Sequence, residues 1–161
     1  IEKSKKLILV GGSLGNLSSF ISRVGAEMDH IIEEIAEIIK ENNIRRVVID
    51  SVSLFTMLAK GNEERRRALA KLTHILSTLN CTSILISETK EGSINLSRYG
   101  IEEFVVDGVI AIYQLRQGER FIPGIVIRKM RGTKHNKEIK LFKITARGIQ
   151  VYPNETLFTN I

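Results

Sequence analysis

The chain has 161 residues, 43% of them hydrophobic and 26% charged, with a net charge of +6 and a pI near 9.6. That is enough for one soluble domain with a proper core, and no apolar run approaches the roughly 20 residues of a membrane span. One cysteine, Cys81, excludes an internal disulfide and a cysteine metal cluster; with no secretory-signal pattern, a cytoplasmic address and no membrane partner are expected.

The elements follow in order. Residues 7–10 read as a short buried strand. The glycine-rich stretch after it, as far as Ser22, reads as a mobile polar loop. Met28, Ile31, Ile32, Ile35, Ile38 and Ile39 recur at helical spacing, with Glu27, Glu33, Glu34, Glu37 and Lys40 on the other side. Asn42-Asn43 ends that helix. Val47-Val48-Ile49 then reads as a strand buried on both faces, as in a parallel sheet. These three elements predict a βαβ unit. After a connection over 51–61, a second amphipathic helix opens at Glu63, with Leu69, Leu72, Ile75, Leu76 and Leu79 on one face. Acidic residues at its start suit the helix dipole. His74 on this helix has no ligand at helical spacing and reads as structural or superficial. Cys81, just before an apolar run, reads as a buried, inert thiol. Residues 82–86 predict a third buried strand, and 90–103 a polar loop.

The texture changes after Phe104. Residues 105–115 and 121–130 are long β-rich runs separated by Gln117-Gly118-Glu119, a hairpin signal. Strands over 139–145 and 149–152 follow, turned at Arg147-Gly148. The expected fold is α/β: a parallel βαβαβ first part and antiparallel C-terminal strands.

Two stretches raise the question of phosphate chemistry. Gly11 to Gly15 reads Gly-Gly-Ser-Leu-Gly, but a phosphate-binding P-loop needs Gly-x-x-x-x-Gly-Lys-Ser/Thr, and none of the 12 glycines is followed by Lys. Arg45-Arg46-Val47-Val48-Ile49-Asp50-Ser51-Val52 is more informative. Asp50 falls at the carboxyl end of its strand, the edge where open α/β sheets bind ligands. An acid there holds Mg²⁺ in P-loop NTPases, in the Walker B position. Four stretches together carry a resemblance: this one; Ser87-Glu88-Thr89; Ser97-Arg98-Tyr99-Gly100-Ile101-Glu102-Glu103-Phe104-Val105-Val106-Asp107; and Lys129-Met130-Arg131-Gly132-Thr133-Lys134-His135. The sequence resembles the RecA-superfamily ATPases, most closely the KaiC-like group, from about Lys6 to Pro153.

The resemblance implies a RecA-like three-layer sheet and an ATP- and Mg-binding ATPase. It also implies a homo-oligomer, hexameric in the intact family, with nucleotide between neighbouring subunits. Matched residue by residue, Asp50 looks like the Walker B acid, holding Mg through water, and Glu88 like the polar residue beside it. Lys129, Met130, Arg131, Thr133 and His135 look like the neighbour's contribution to the nucleotide. The chemistry of that last stretch agrees. Lys129 and Arg131 alternate on a strand and share a face, where two cations can offset charge developing in phosphoryl transfer. Thr133 and His135 add hydrogen-bonding groups on the same side if the strand continues, and Gly132 marks a possible bend. A solvated edge strand guarded by lysine would carry the same residues.

The departures shape the expectation. The family's P-loop strand, its lysine and its paired glutamates precede the position matched by Lys6, and the chain begins with Ile rather than Met. Ala146 stands where relatives carry an acid. Residues 1–161 are therefore expected to form a single partial domain that neither binds ATP tightly nor hydrolyses it. A free sheet edge would then favour a dimer or a strand-exchanged form. Two other functions fit. A single-stranded-DNA-binding RecA/RadA relative would use 90–103, with Lys90 and Arg98, although Tyr99 stands alone as a stacking group. A non-catalytic assembly module would use the basic hairpin on a partner.

Overall fold

The computed structural model describes residues 7–10, 28–53, 59–89 and 100–157. The polar loop expected before Ser22 and most of the loop expected over 90–103 lie outside them. The chain forms two compact units, Ile1–Glu88 and Thr89–Ile161.

In the first unit, α1 (Met28–Glu41) and α2 (Asn62–Thr78) form where the helical periodicity predicts them. Their apolar faces supply the core: Met28, Ile31, Ile32, Ala36 and Ile39 from α1, and Ala68, Leu69, Leu72 and Leu76 from α2. Lys71 on α2 reaches back to Asp29 at 2.7 Å and Glu33 at 3.7 Å on α1. The turns after both helices use an asparagine in the left-handed region, Asn43 and Asn80, a conformation Asn tolerates better than other non-glycine residues. His74 is exposed, as expected. Cys81 is only half-buried, and its thiol lies 3.3 Å from the Ile44 carbonyl.

Strands β1 (Arg46–Asp50) and β2 (Thr82–Ile86) pair in parallel, Val48 opposite Ile84 and Asp50 opposite Ile86. Two expectations are corrected here. Residues 7–10 join no ladder among the described residues, and their side chains are exposed, so the first strand of the expected βαβαβ series is not seen. An apolar run becomes a strand only when a neighbour pairs its N–H and C=O groups. Nor are β1 and β2 buried on both faces. Val47, Ile49 and Leu85 are half-buried, while Val48 is 63% exposed and Ile84 and Ile86 are exposed beside it. Asp50 shares that open face.

The second unit opens with a short helix, α3 (Glu102–Val105), inside a stretch expected to be loop and strand. Four strands follow as an antiparallel meander in the order β3-β4-β5-β6: β3 (Gly108–Gln117), β4 (Arg120–Met130), β5 (Lys140–Thr145) and β6 (Gly148–Thr156). The hairpin at Gly118-Glu119 closes with Gln117 opposite Arg120, as the sequence predicts. Strand β6 runs further than its expected end at 152. It does so past Pro153, where its register against β5 slips; proline is tolerated in edge strands and at bulges. Residues opposite one another share a face, so Ile110, Ile112, Ile125, Phe142, Ile144, Ile149 and Val151 lie on one side of this sheet. Ile144 there is 80% exposed.

Candidate functional site

The parallel ladder brings the two acids to one edge. Asp50 is the last residue of β1, and Glu88 follows the end of β2 by two residues. The Val52 amide continues the pairing by donating to the Ile86 carbonyl at 2.9 Å, so both strands leave the sheet together. Both carboxylates are exposed. Among the described residues no group of three or more His, Cys, Asp or Glu side chains could hold a metal ion. One or two exposed carboxylates at a strand edge are donors of the kind Mg²⁺ accepts together with a ligand's own phosphates.

The basic stretch is built by a bulge. Val109 pairs with Lys129, but Ile110 pairs with Ile127, so Arg128 is an extra residue on β4. A bulge resets the alternation of the strand that carries it. Counting by twos from buried Val126 would send residue 128 inward. Instead Arg128 is exposed, lining a shallow hollow with Ile127 and Lys137, and Lys129 turns in. The Lys129 ammonium donates to the main-chain carbonyls of Glu103 at 2.9 Å and Val106 at 2.6 Å. The last carbonyls of a helix lack intrahelical partners, and Lys129 meets that need for α3. Met130 packs its thioether over Gly108, its ladder partner.

Arg131 comes just after the strand. Its amide donates to the Asp107 carbonyl at 2.9 Å, its Nη1 to Asp107 Oδ1 at 3.2 Å, and its Nη2 to the Phe104 carbonyl at 3.5 Å. Lys129 and Arg131 therefore do reach to one side, as alternation predicts. Each, however, finds partners in its own chain. The two differ in how firmly they are held. Lys129 makes two part-buried bonds, and a hydrogen bond to a charged group is worth about 1.5–3 kcal/mol. The Arg131–Asp107 pair is 59% and 89% exposed on its two sides, and exposed ion pairs are worth about 0–1 kcal/mol. Arg131 can change partners cheaply; Lys129 cannot.

The strand does not continue to Thr133 and His135. It ends at Met130, and Gly132 takes φ +68°, a left-handed turn that L side chains avoid. Thr133 is exposed in that turn. His135 Nδ1 lies 3.3 Å from the Thr133 carbonyl; the tautomer that donates this bond leaves Nε2 an acceptor, and Nε2 is buried without a hydrogen-bond partner.

Beyond the turn, a cluster of side chains that sequence reasoning passed over holds the segment down. Glu138 Oε2 accepts from Lys140 Nζ at 2.6 Å, Thr156 Oγ1 at 3.1 Å and Asn136 Nδ2 at 3.3 Å. Lys140 also donates to Thr156 Oγ1 at 2.7 Å. The spacing Asn-x-Glu-x-Lys was the available signal, since i and i+2 share a face of an extended chain. The Lys140 ammonium first, then Asn136 and Thr156, hold the Glu138 carboxyl below its ordinary 4.5. A carboxylate with a lowered folded pKa stabilises the fold above its unfolded pKa, and that contribution is lost as pH falls through the folded value. Glu138→Gln is therefore expected to melt below the wild type at pH 7. The gap should narrow as pH falls through the lowered folded pKa of this carboxyl and close once the group is protonated in both states; thermal melts taken stepwise from pH 7 into the acid range check this.

A family model described as "ATPase: KaiC" matches residues 1–156. This chain belongs to the KaiC ATPase family. It is 35% identical over 129 residues to the circadian clock oscillator protein KaiC of Synechococcus elongatus, covering 80% of this chain and 25% of that protein. A UPF0273 protein of Thermotoga maritima is 31% identical over 161 residues, covering 96% of this chain and 65% of that one. The crystal structure of a KaiC-like protein from Pyrococcus horikoshii OT3 matches with a TM-score of 0.69 and 35% identity, over 79% of this chain and 55% of that one. The fold is thus the mixed α/β, RecA-like one, with a parallel part and an antiparallel C-terminal part. The chain spans about a quarter of the length of the KaiC relatives it matches. No described helix is long and apolar enough to cross a membrane.

Proposed function

We propose that this chain is the portion of a KaiC-like ATPase that supplies the strand-edge acid of one nucleotide site and the basic segment that reaches a neighbour's. In this reading the protein works as a homo-oligomer with magnesium ATP between subunits. Asp50 holds the cation through water, and Glu88 lies beside it as a polar group at the same edge. Arg131 and Thr133 face the phosphates of the adjoining subunit, and His135, whose Nδ1 meets the Thr133 carbonyl, braces the turn beneath them. Lys129 and Met130 belong to the same stretch: Lys129 anchors it to α3, and Met130 seats it on Gly108.

The observation that carries this reading is the turn at Gly132. It carries an exposed guanidinium in a weak, exposed pair just past the end of a strand that two firm lysine bonds hold. Such an arginine gives up about 0–1 kcal/mol to leave Asp107, and charge-assisted bidentate bonds to phosphate exceed that. ATP supplies the phosphoryl group; this chain's residues hold, orient and neutralise.

The 161-residue chain has no Gly-x-x-x-x-Gly-Lys-Ser/Thr sequence, and the phosphates of ATP need that cradle of N–H groups and its lysine. The chain alone is thus expected to give no micromolar heat signal on titration with magnesium ATP. Micromolar binding by the chain alone would mean that a complete nucleotide site exists within it, and would overturn the shared-site reading.

A further inference from the structure

The segment 131–139 connects β4 to β5, yet those strands share ladder pairs only at Gly124–Leu141 and Ile125–Lys140. From 126 onward β4 continues without β5 beside it, so backbone pairing between these strands does not set where 131–139 lies. Two other features do. Ile139 packs against Gly124 so closely that a Cβ there would stand 2.6 Å from Ile139 Cγ2, with Leu115 and Leu157 at 3.3 Å. The Ile139 carbonyl also accepts the Leu157 amide at 2.9 Å. One residue earlier, a single oxygen of Glu138 gathers Lys140, Thr156 and Asn136, while the Glu138 amide donates to Asn136 Oδ1 at 2.7 Å. Lys140 is the least exposed member, its side chain only 15% accessible. The far end of the segment is tied to α3 by Lys129 and to Asp107 by Arg131.

We propose that Glu138 is a positioning residue: its carboxylate clasps 131–139 to the end of β6 and so sets how far Arg131 and Thr133 extend toward a neighbouring subunit's phosphates. Glu138 touches no reacting atom. It acts through the backbone it fixes, with Thr156 and Lys140 as the posts. This rests on the neighbour-side reading above, and the tests keep the two apart.

In the 161-residue chain, Glu138→Ala should raise amide hydrogen exchange across 131–137 by about tenfold, the loss of roughly one charge-assisted bond. Exchange in the centres of β3 and β4 should stay as it is. Glu138→Gln should recover part of the protection, because its amide oxygen still accepts from Thr156 and Asn136. Thr156→Val, which removes one post and leaves the carboxylate, gives the same answer should Glu138→Ala fail to fold. Unchanged exchange over 131–137 overturns the clasp. In the natural full-length assembly, Glu138→Ala should lower kcat for ATP hydrolysis about 10–100-fold, the penalty of a misplaced group, with KM for ATP unchanged. A loosened segment with unchanged kcat would overturn positioning while leaving the clasp as a structural contact. Failure of the neighbour-side reading itself shows elsewhere, as an Arg131→Ala assembly that hydrolyses ATP normally.

Discussion

Leu72→Ala is expected to cost the helical unit about 2–5 kcal/mol, the usual range for truncating a fully buried leucine. Leu72 is wholly inaccessible, in the middle of α2, with Leu69 and Leu76 on the same face and Ile31 and Ile32 of α1 equally buried. A domain has only about 5–15 kcal/mol to lose, so this one change removes a large share. Circular dichroism at 222 nm suits the measurement: α1 and α2 are the long helices among the described residues, and the chain has no tryptophan. Urea titration should show a lower midpoint at unchanged slope. Ile144→Ala is the control, since Ile144 is exposed and such surface changes stay within about 0.5 kcal/mol. A loss below about 1 kcal/mol for Leu72→Ala would place the core of this unit somewhere other than the α1–α2 contact.

The helices were legible because their periodicity is strong and local. Ile31, Ile32 and Ile39, like Leu69, Leu72 and Leu76, mark faces that need no knowledge of distant residues. Asp50 was legible for a related reason, as an apolar run ending in an acid places that acid at a strand edge. What could not be read were properties set by partners. Residues 7–10 are as apolar as β1, yet only a neighbour makes a strand. Burial of Val48 and Ile84 on both sides depends on what lies over the sheet, and periodicity is silent on that. Residue 128 shows the sharpest limit. Nothing in Ile127-Arg128-Lys129 announces a bulge, and without it Lys129 and Arg128 exchange roles. The spacing of Asn136, Glu138 and Lys140 does not by itself reveal the cluster, because Thr156, which donates to Glu138 Oε2, lies far along the chain.

In the natural full-length assembly, Arg131→Ala is expected to slow ATP hydrolysis by about 10³-fold or more, the range reported for arginines that reach into another protein's phosphoryl-transfer site. That corresponds to about 4 kcal/mol of transition-state stabilisation. It exceeds the roughly 0–1 kcal/mol by which the exposed Asp107 pair holds the arginine back, so the exchange of partners favours the phosphate. Arg131→Lys should restore little, because an ammonium cannot make the forked contact of a guanidinium. The decisive measurement is a mixture. Arg131→Ala subunits keep Asp50, and Asp50→Asn subunits keep Arg131. If each nucleotide site takes its acid from one subunit and its arginine from the next, two inactive proteins mixed equally regain activity at about a quarter of their interfaces, as random assembly of a head-to-tail ring requires. If both residues served the same site from the same subunit, no interface in the mixture would carry a complete set. Mixed assemblies as inactive as their parents would therefore show that Arg131 does not act across the subunit boundary, whatever its effect within its own chain.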